Sequence, residues 1–231
     1  MKKNHKVLLL DNFIEESGGV QKIFRPHFPS SVIVESTLAS HGKFPRKIED
    51  YTHIVVSGSA ASPLSDELWV TKEREFLLQA FLKQIPILGV CFGHQLLGVM
   101  FGGRGCARRS PTPEFGWKKI TLKKDKNPIF NGFQKEFYSY CSHFEEVVEL
   151  PEKSFEILAS TENCSVSAFQ LKGHPVWGVQ YHSEYGMESA KKGLLKIAEK
   201  YPELNLDCTK IEKDAKDSLT APLLFENFLK A

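Results

Sequence analysis

At 231 residues the chain is long enough to bury one sizeable core, and a single domain over residues 1–231 is expected. Its 42% hydrophobic and 25% charged residues exclude wholesale disorder, and a net charge of +2 from 30 basic and 28 acidic residues gives no footing for nucleic acid or a membrane surface. Five cysteines, odd in number and without a CxxC pair, argue against a disulfide framework and against a metal site.

In chain order, the apolar run Val7 to Leu10 stops at Asp11, too short for a signal-peptide core or a spanning helix, so a cytoplasmic protein is expected. Lys6 to Leu10 reads as a buried strand and residues 14 to 25 as a helix, weakened by Gly18-Gly19. Ser17-Gly18-Gly19 lacks the Asp and Ser that an ATP-pyrophosphatase loop needs next. Strands follow at Ser31 to Glu35 and His53 to Ser57, then a loop of small residues from Ser57 to Asp66, where Ser65 or Asp66 can cap a helix. That helix places Trp69, Phe76, Leu77, Ala80 and Phe81 on one face. Strand Ile87 to Val90 comes next, and the alternation predicts a parallel sheet covered on both faces.

Beyond Gly102 the rhythm changes to short runs able to pair as antiparallel hairpins. They are Trp117 to Leu122, Glu136 to Cys141, Glu145 to Leu150, Phe155 to Ser160, Val166 to Gln170 and Val176 to Tyr181. Met187 to Lys200 is an amphipathic helix, residues 201 to 221 a polar, irregular excursion, and Pro222 to Leu229 a short terminal helix.

Cys91 stands at the strand-to-helix turn between Gly89 and Gly93. First-turn N–H groups and the positive helix end favour a thiolate there, and the tight turn pushes the sulfur out of the sheet, as in the Gly-x-Ser-x-Gly elbow. By itself the pattern suits a buried core thiol equally well. A nucleophile needs a base, and of the eight histidines His182 leaves the end of an apolar strand, with Glu184 two residues on to fix its tautomer. His5, His27 and His41 read as surface residues, and Arg108-Arg109 as solvated charge.

Gly89-Val-Cys91-Phe-Gly93-His94-Gln95 together with Gln180-Tyr-His182-Ser-Glu184 resembles the class I glutamine amidotransferase family, similar to the amidotransferase portion of GMP synthase and to γ-glutamyl peptidases. The likeness takes in the Ser57-Gly58-Ser59 loop, Trp69, Ser142-His143-Phe144 and Leu224 to Leu229. It implies an α/β, flavodoxin-like three-layer sandwich whose central, mostly parallel sheet carries a small antiparallel β element. It further implies Cys91 as nucleophile, His182 as base then acid, Glu184 as its orienting acid, and an oxyanion hole from the backbone N–H groups of Gly58 and Phe92. Gln95, Ser142, His143 and Phe144 would contact substrate, His143 as a loop residue acting through its backbone. Ala60 and Ser183 depart from the family pattern; Ser183 replaces a proline and would loosen the turn holding Glu184.

No cofactor or metal is implied. No second catalytic domain is expected within these 231 residues, and no Walker-type phosphate loop occurs among them. Three readings stay open: a glutaminase feeding ammonia to a separate synthase, a hydrolase of γ-glutamyl peptides or amides using the same triad, and a catalytically silent regulatory module.

Overall fold

The computed structural model describes residues 5–14, 19–124 and 126–231. Strands β1 (Lys6–Leu10), β2 (Ile33–Thr37), β3 (His53–Val56) and β4 (Ile87–Val90) alternate with helices α1 (Val20–Phe24), α2 (Leu68–Leu82) and α3 (Phe92–Gly102). Strands β5 (Ala107–Leu122), β6 (Glu136–Val147), β7 (Phe155–Ser160), β8 (Ala168–Leu171) and β9 (Val176–Val179) follow, then helices α4 (Met187–Lys200), α5 (Cys208–Lys213) and α6 (Ala221–Phe228). All nine strands form one sheet in the order β2-β1-β3-β4-β9-β8-β7-β5-β6. From β2 to β9 the pairing is parallel, and from β9 to β6 antiparallel. The antiparallel element is thus a continuation of the central sheet, and the parallel part has the strand order of flavodoxin-like folds.

Side chains of period two decide the layering. Val7, Leu9, Val55, Leu88 and Val90 face one way and pack with Val20 and Phe24 of α1 and Leu224, Phe225 and Phe228 of α6. Leu8, Leu10, Ile54, Val56 and Ile87 face the other way, under Trp69, Val70 and Leu77 of α2 and Phe92, Leu96 and Leu97 of α3. Helix α2 starts after Glu67 with no side-chain cap; Ser65 instead accepts the Glu67 N–H at 3.2 Å, so the expected capping by Ser65 or Asp66 is replaced by a local turn. The first helix runs only from Val20 to Phe24, and residues 15–18 of the expected span, with the Ser17-Gly18 reading, lie outside the described residues.

Two expectations change in the second half. The runs Glu136 to Cys141 and Glu145 to Leu150, expected as separate strands, are one strand, β6, paired along β5 from Ala107 to Thr121 with an irregularity between Arg109 and Glu114. Residues 201 to 221 are also more ordered than expected. The Asp207 side chain caps α5 at the Lys210 N–H, 3.0 Å, Ile211 packs on Gly116 of β5, and Ser218 exchanges hydrogen bonds with the Tyr138 backbone at 3.1 and 2.9 Å. This segment covers the open edge of β6. The sheet curls far enough for the His182 N–H to donate to the Tyr140 carbonyl at 2.7 Å, which brings β6 back to the end of β9. Among the described residues no helix is long and apolar enough to cross a membrane.

Candidate active site

Cys91 lies between β4 and α3 with φ 51° and ψ −103°, a conformation a non-glycine residue holds only when its surroundings enforce it. The enforcement is visible. The Cys91 N–H donates to the Val179 carbonyl at 2.9 Å, and its carbonyl accepts from the Gln95 N–H at 3.0 Å. A side chain at Gly89 would run into the backbone of Gly93, and one at Gly93 into the Val56 carbonyl. The two glycines let strand, turn and helix close on each other. The Cys91 sulfur faces the Ser142 carbonyl at 3.8 Å.

His182 and Glu184 meet this turn from the end of β9. His182 Nδ1 donates to Glu184 Oε1 at 2.6 Å, which leaves Nε2 outside that bond, and the Cys91 sulfur is near enough to act on the imidazole. Both side chains are buried, 7% and 1% exposed. Burial alone would pull His182 down; the carboxylate of Glu184 and the sulfur of Cys91 outweigh it and push the imidazole up to about 10. His182 thus lies between a carboxylate and a sulfur that both favour its protonated form. Ser183, expected to loosen this turn, has its hydroxyl bonded to that of Thr220 at 3.3 Å, and Glu184 reaches His182 beside it. His27 is not a simple surface residue either: its Nε2 donates to the Glu184 carbonyl at 2.9 Å, and its ring stacks on Phe225.

Gly58 passes directly over the pair. A Cβ placed there would lie 3.0 Å from His182 Cε1 and 3.6 Å from Cys91 Cβ. Its loop is tied down by Ser62, whose hydroxyl donates to Glu145 Oε1 at 2.7 Å, and by Ser59 and Ser62 hydroxyls accepting the Ala61 and Leu64 N–H groups. Ala60 thus sits in a loop shaped by serine hydroxyls. Phe92, the other expected backbone donor, opens α3 with its ring buried against Trp69.

The expected substrate contacts fall into two groups. Ser142 is at the sulfur, through its carbonyl. Gln95 is buried nearby, but both hydrogens of its amide are used, on the Glu145 carbonyl at 2.7 Å and on Gln180 Oε1 at 3.2 Å, so only its Oε1 is left to offer. His143 is not in a loop; it lies inside β6, with Nδ1 donating to the Glu145 carbonyl at 3.0 Å and Nε2 3.3 Å from Glu114 Oε2. The Phe144 ring packs on Phe115 and Tyr201 and lies under the Arg109 guanidinium. The neighbouring Arg108, expected as solvated charge, pairs with the buried Glu146 at 2.9 Å.

Among the described residues one cluster could hold a metal ion: Glu114, Cys141 and His143 offer buried ligand atoms within 4.8 Å of one another. Glu114 is already bonded by the Thr161 hydroxyl at 2.7 Å as well as facing His143, which gives Glu114 and His143 partners within the protein.

The class-I glutamine amidotransferase family model matches residues 23–198. A glutamine-hydrolyzing GMP synthase subunit from Methanococcus aeolicus is 33% identical over 73% of this chain and 85% of its own length. Its counterpart from Methanocaldococcus jannaschii is 36% identical over 53% of this chain and 65% of its own, so the match spans just under two thirds of that relative. Among solved structures, a glutamine amidotransferase of Thermotoga maritima superposes with a TM-score of 0.82 at 20% identity, covering 99% of both chains, which speaks to the fold alone.

Proposed function

The chain belongs to the class-I glutamine amidotransferase family, and on that premise we propose that it hydrolyses the side-chain amide of glutamine through a thioester on Cys91, with His182 and Glu184 completing the triad. The observation that carries this reading is the Cys91 turn beside a His182 held by Glu184 at 2.6 Å.

His182 takes the Cys91 thiol proton as base, and the thiolate attacks the substrate carbonyl carbon and forms a C–S bond. The carbonyl electrons move to oxygen, where the N–H groups of Gly58 and Phe92 stabilise the charge. As the tetrahedral species collapses, the C–N bond breaks and His182 gives its proton to the leaving nitrogen, releasing ammonia. His182, now neutral, takes a proton from water, whose oxygen attacks the thioester; the C–S bond then breaks, glutamate leaves, and His182 returns the proton to the departing Cys91 sulfur. His182 therefore acts as base towards the thiol, as acid towards the leaving nitrogen, and again as base towards water. Glu184 holds its ring and stabilises the imidazolium without itself being protonated.

Ser142 and Gln95 Oε1 are proposed to meet the amino acid portion of the substrate. For His143 and Phe144 the proposal is limited to their backbone, since both side chains are engaged elsewhere. Relatives that are themselves named as subunits of GMP synthase support a separate synthase as the acceptor of the ammonia.

Glutamate release from glutamine, set against release from γ-glutamyl dipeptides, tests the substrate. Turnover of the peptides without turnover of glutamine would replace this reading with the γ-glutamyl hydrolase one, and inertness towards both would leave the silent module. The Cys91→Ala variant is expected to lose all turnover and all covalent labelling by a glutamine-like electrophile; labelling that persisted at Cys106 or Cys141 would overturn the site.

A further inference from the structure

Behind the Gly58 loop lies a polar cluster that the triad chemistry does not use. Asn12, Ser57 and Glu73 are fully buried, on the loop after β1, at the end of β3 and in the middle of α2. Asn12 Nδ2 donates to Glu73 Oε1 at 3.0 Å and to the Ser57 carbonyl at 3.4 Å, while the Asn12 N–H donates to Ser57 Oγ at 3.0 Å. The Ser57 carbonyl and the Gly58 N–H belong to one trans peptide plane and point in opposite directions. Whatever holds that carbonyl therefore aims that N–H.

We propose that Asn12 and Glu73 form a clamp that positions the Ser57–Gly58 peptide, so that the Gly58 N–H is held ready for the developing oxyanion. The inference rests on the triad reading above and adds two positioning residues that touch neither substrate nor sulfur. Glu73 acts in its neutral form. Asn12 Oδ1 and Glu73 Oε2 both find no partner among the described residues, and as two acceptors they cannot satisfy each other. A proton on Oε2 supplies the missing donor, closing a two-bond acid–amide ring with the Nδ2 to Oε1 bond. Burial keeps that proton in place, pushing Glu73 up to about 8 against the weaker pull of Asn12 and Arg74. A neutral ring inside a closed core is also the cheaper arrangement, since an ionised carboxylate there would need a paired cation.

The test separates positioning from packing. Glu73→Ala and Asn12→Ser should each lower kcat on glutamine about 10- to 100-fold, short of the roughly 100- to 1,000-fold that follows outright loss of an oxyanion donor. KM should stay within about twofold, and alkylation of Cys91 by iodoacetamide, which develops no oxyanion, should keep its wild-type rate. Glu73→Gln mimics the neutral acid and should keep kcat within about threefold of wild type at pH 7, and the double variant should lose no more than the worse single one. Unchanged kcat in Asn12→Ser, additive losses, or a Glu73→Gln defect as large as that of Glu73→Ala would each overturn the clamp; if Glu73→Ala does not fold, Asn12→Ser and Glu73→Gln carry the same decision. Wild-type protein inert towards both glutamine and γ-glutamyl dipeptides would overturn the triad reading instead. The clamp then keeps its own readout, hydrogen exchange of the Gly58 amide, expected to be about tenfold faster in Asn12→Ser and overturned by equal rates.

Discussion

His182 is pressed between a carboxylate and a sulfur, so its proton affinity reports on both. Cys91 is one of the groups that push it up, and Cys91→Ala should therefore lower the His182 pKa from its wild-type value of about 10, measured by the pH dependence of its ring NMR signals. An unchanged value would mean that Glu184 alone sets it. At Gly58 the limit is steric. A Cβ 3.0 Å from His182 Cε1 must displace the imidazole, so Gly58→Ala should cut kcat at least about tenfold while the unfolding midpoint in urea stays close to wild type. Cys91, His182 and Glu184 can all be singled out from the sequence, because a nucleophile turn and a histidine–acid pair are local patterns. Asn12, Glu73 and His27 cannot. His27 reaches Glu184 across 157 positions and Asn12 reaches Glu73 across 61, and neither pairing leaves any mark in the residues between.

At the level of elements, β5 and β6 are the hardest to read from sequence, for opposite reasons. In β5 the stretch Ser110-Pro111-Thr112-Pro113 argues against a strand, since proline cannot donate to a ladder; the prolines fall where the register with β6 is broken, between Arg109 and Glu114, and the strand resumes beyond them. In β6 the polar Ser142-His143 interrupts the apolar pattern, yet His143 is buried because its register partner is Glu114. Removing Glu114 takes a hydrogen-bond partner from the buried His143 ring and from the Thr161 hydroxyl, so Glu114→Ala should destabilise the protein by about 1–3 kcal/mol in urea unfolding. The segment after α4 reads as irregular because only isolated apolar residues mark it. One of these, Ile211, lies where a side chain on Gly116, at φ 89°, would have to go. Ile211→Ala should loosen the covering of the β6 edge, seen as faster hydrogen exchange at the Tyr138 amide, which Ser218 Oγ accepts at 2.9 Å.

Across the whole molecule, buried titratable groups predict how stability depends on pH. His94 is pulled from 6.5 to about 3 by burial, so the unfolded chain binds its proton more readily and stability falls as pH drops below about 6.5. Glu73 is raised from 4.5 to about 8, which makes stability fall as pH rises between those values. His182, raised from 6.5 to about 10, supports the fold fully below 6.5 and loses that support as pH climbs through 10. Between 4.5 and 6.5 the first two effects oppose each other, whereas above 6.5 Glu73 and His182 act together. Burial of the Cys141 thiol and the Tyr181 phenol adds a further loss at high pH. Urea midpoints should therefore be highest near pH 5 to 6.5 and decline on both sides; a midpoint still rising from pH 7 to 9 would contradict these assignments. The sequence by itself determined the α/β alternation, the Cys91 turn and the pairing of His182 with Glu184, because each is written in the period or spacing of neighbouring residues. Only the tertiary structure decided that the antiparallel strands continue the same sheet, that β6 returns to His182, and that Asn12 and Glu73 hold the Gly58 loop. These depend on the curl of the sheet and on which distant side chains it brings within hydrogen-bond reach, and no local pattern encodes that curl.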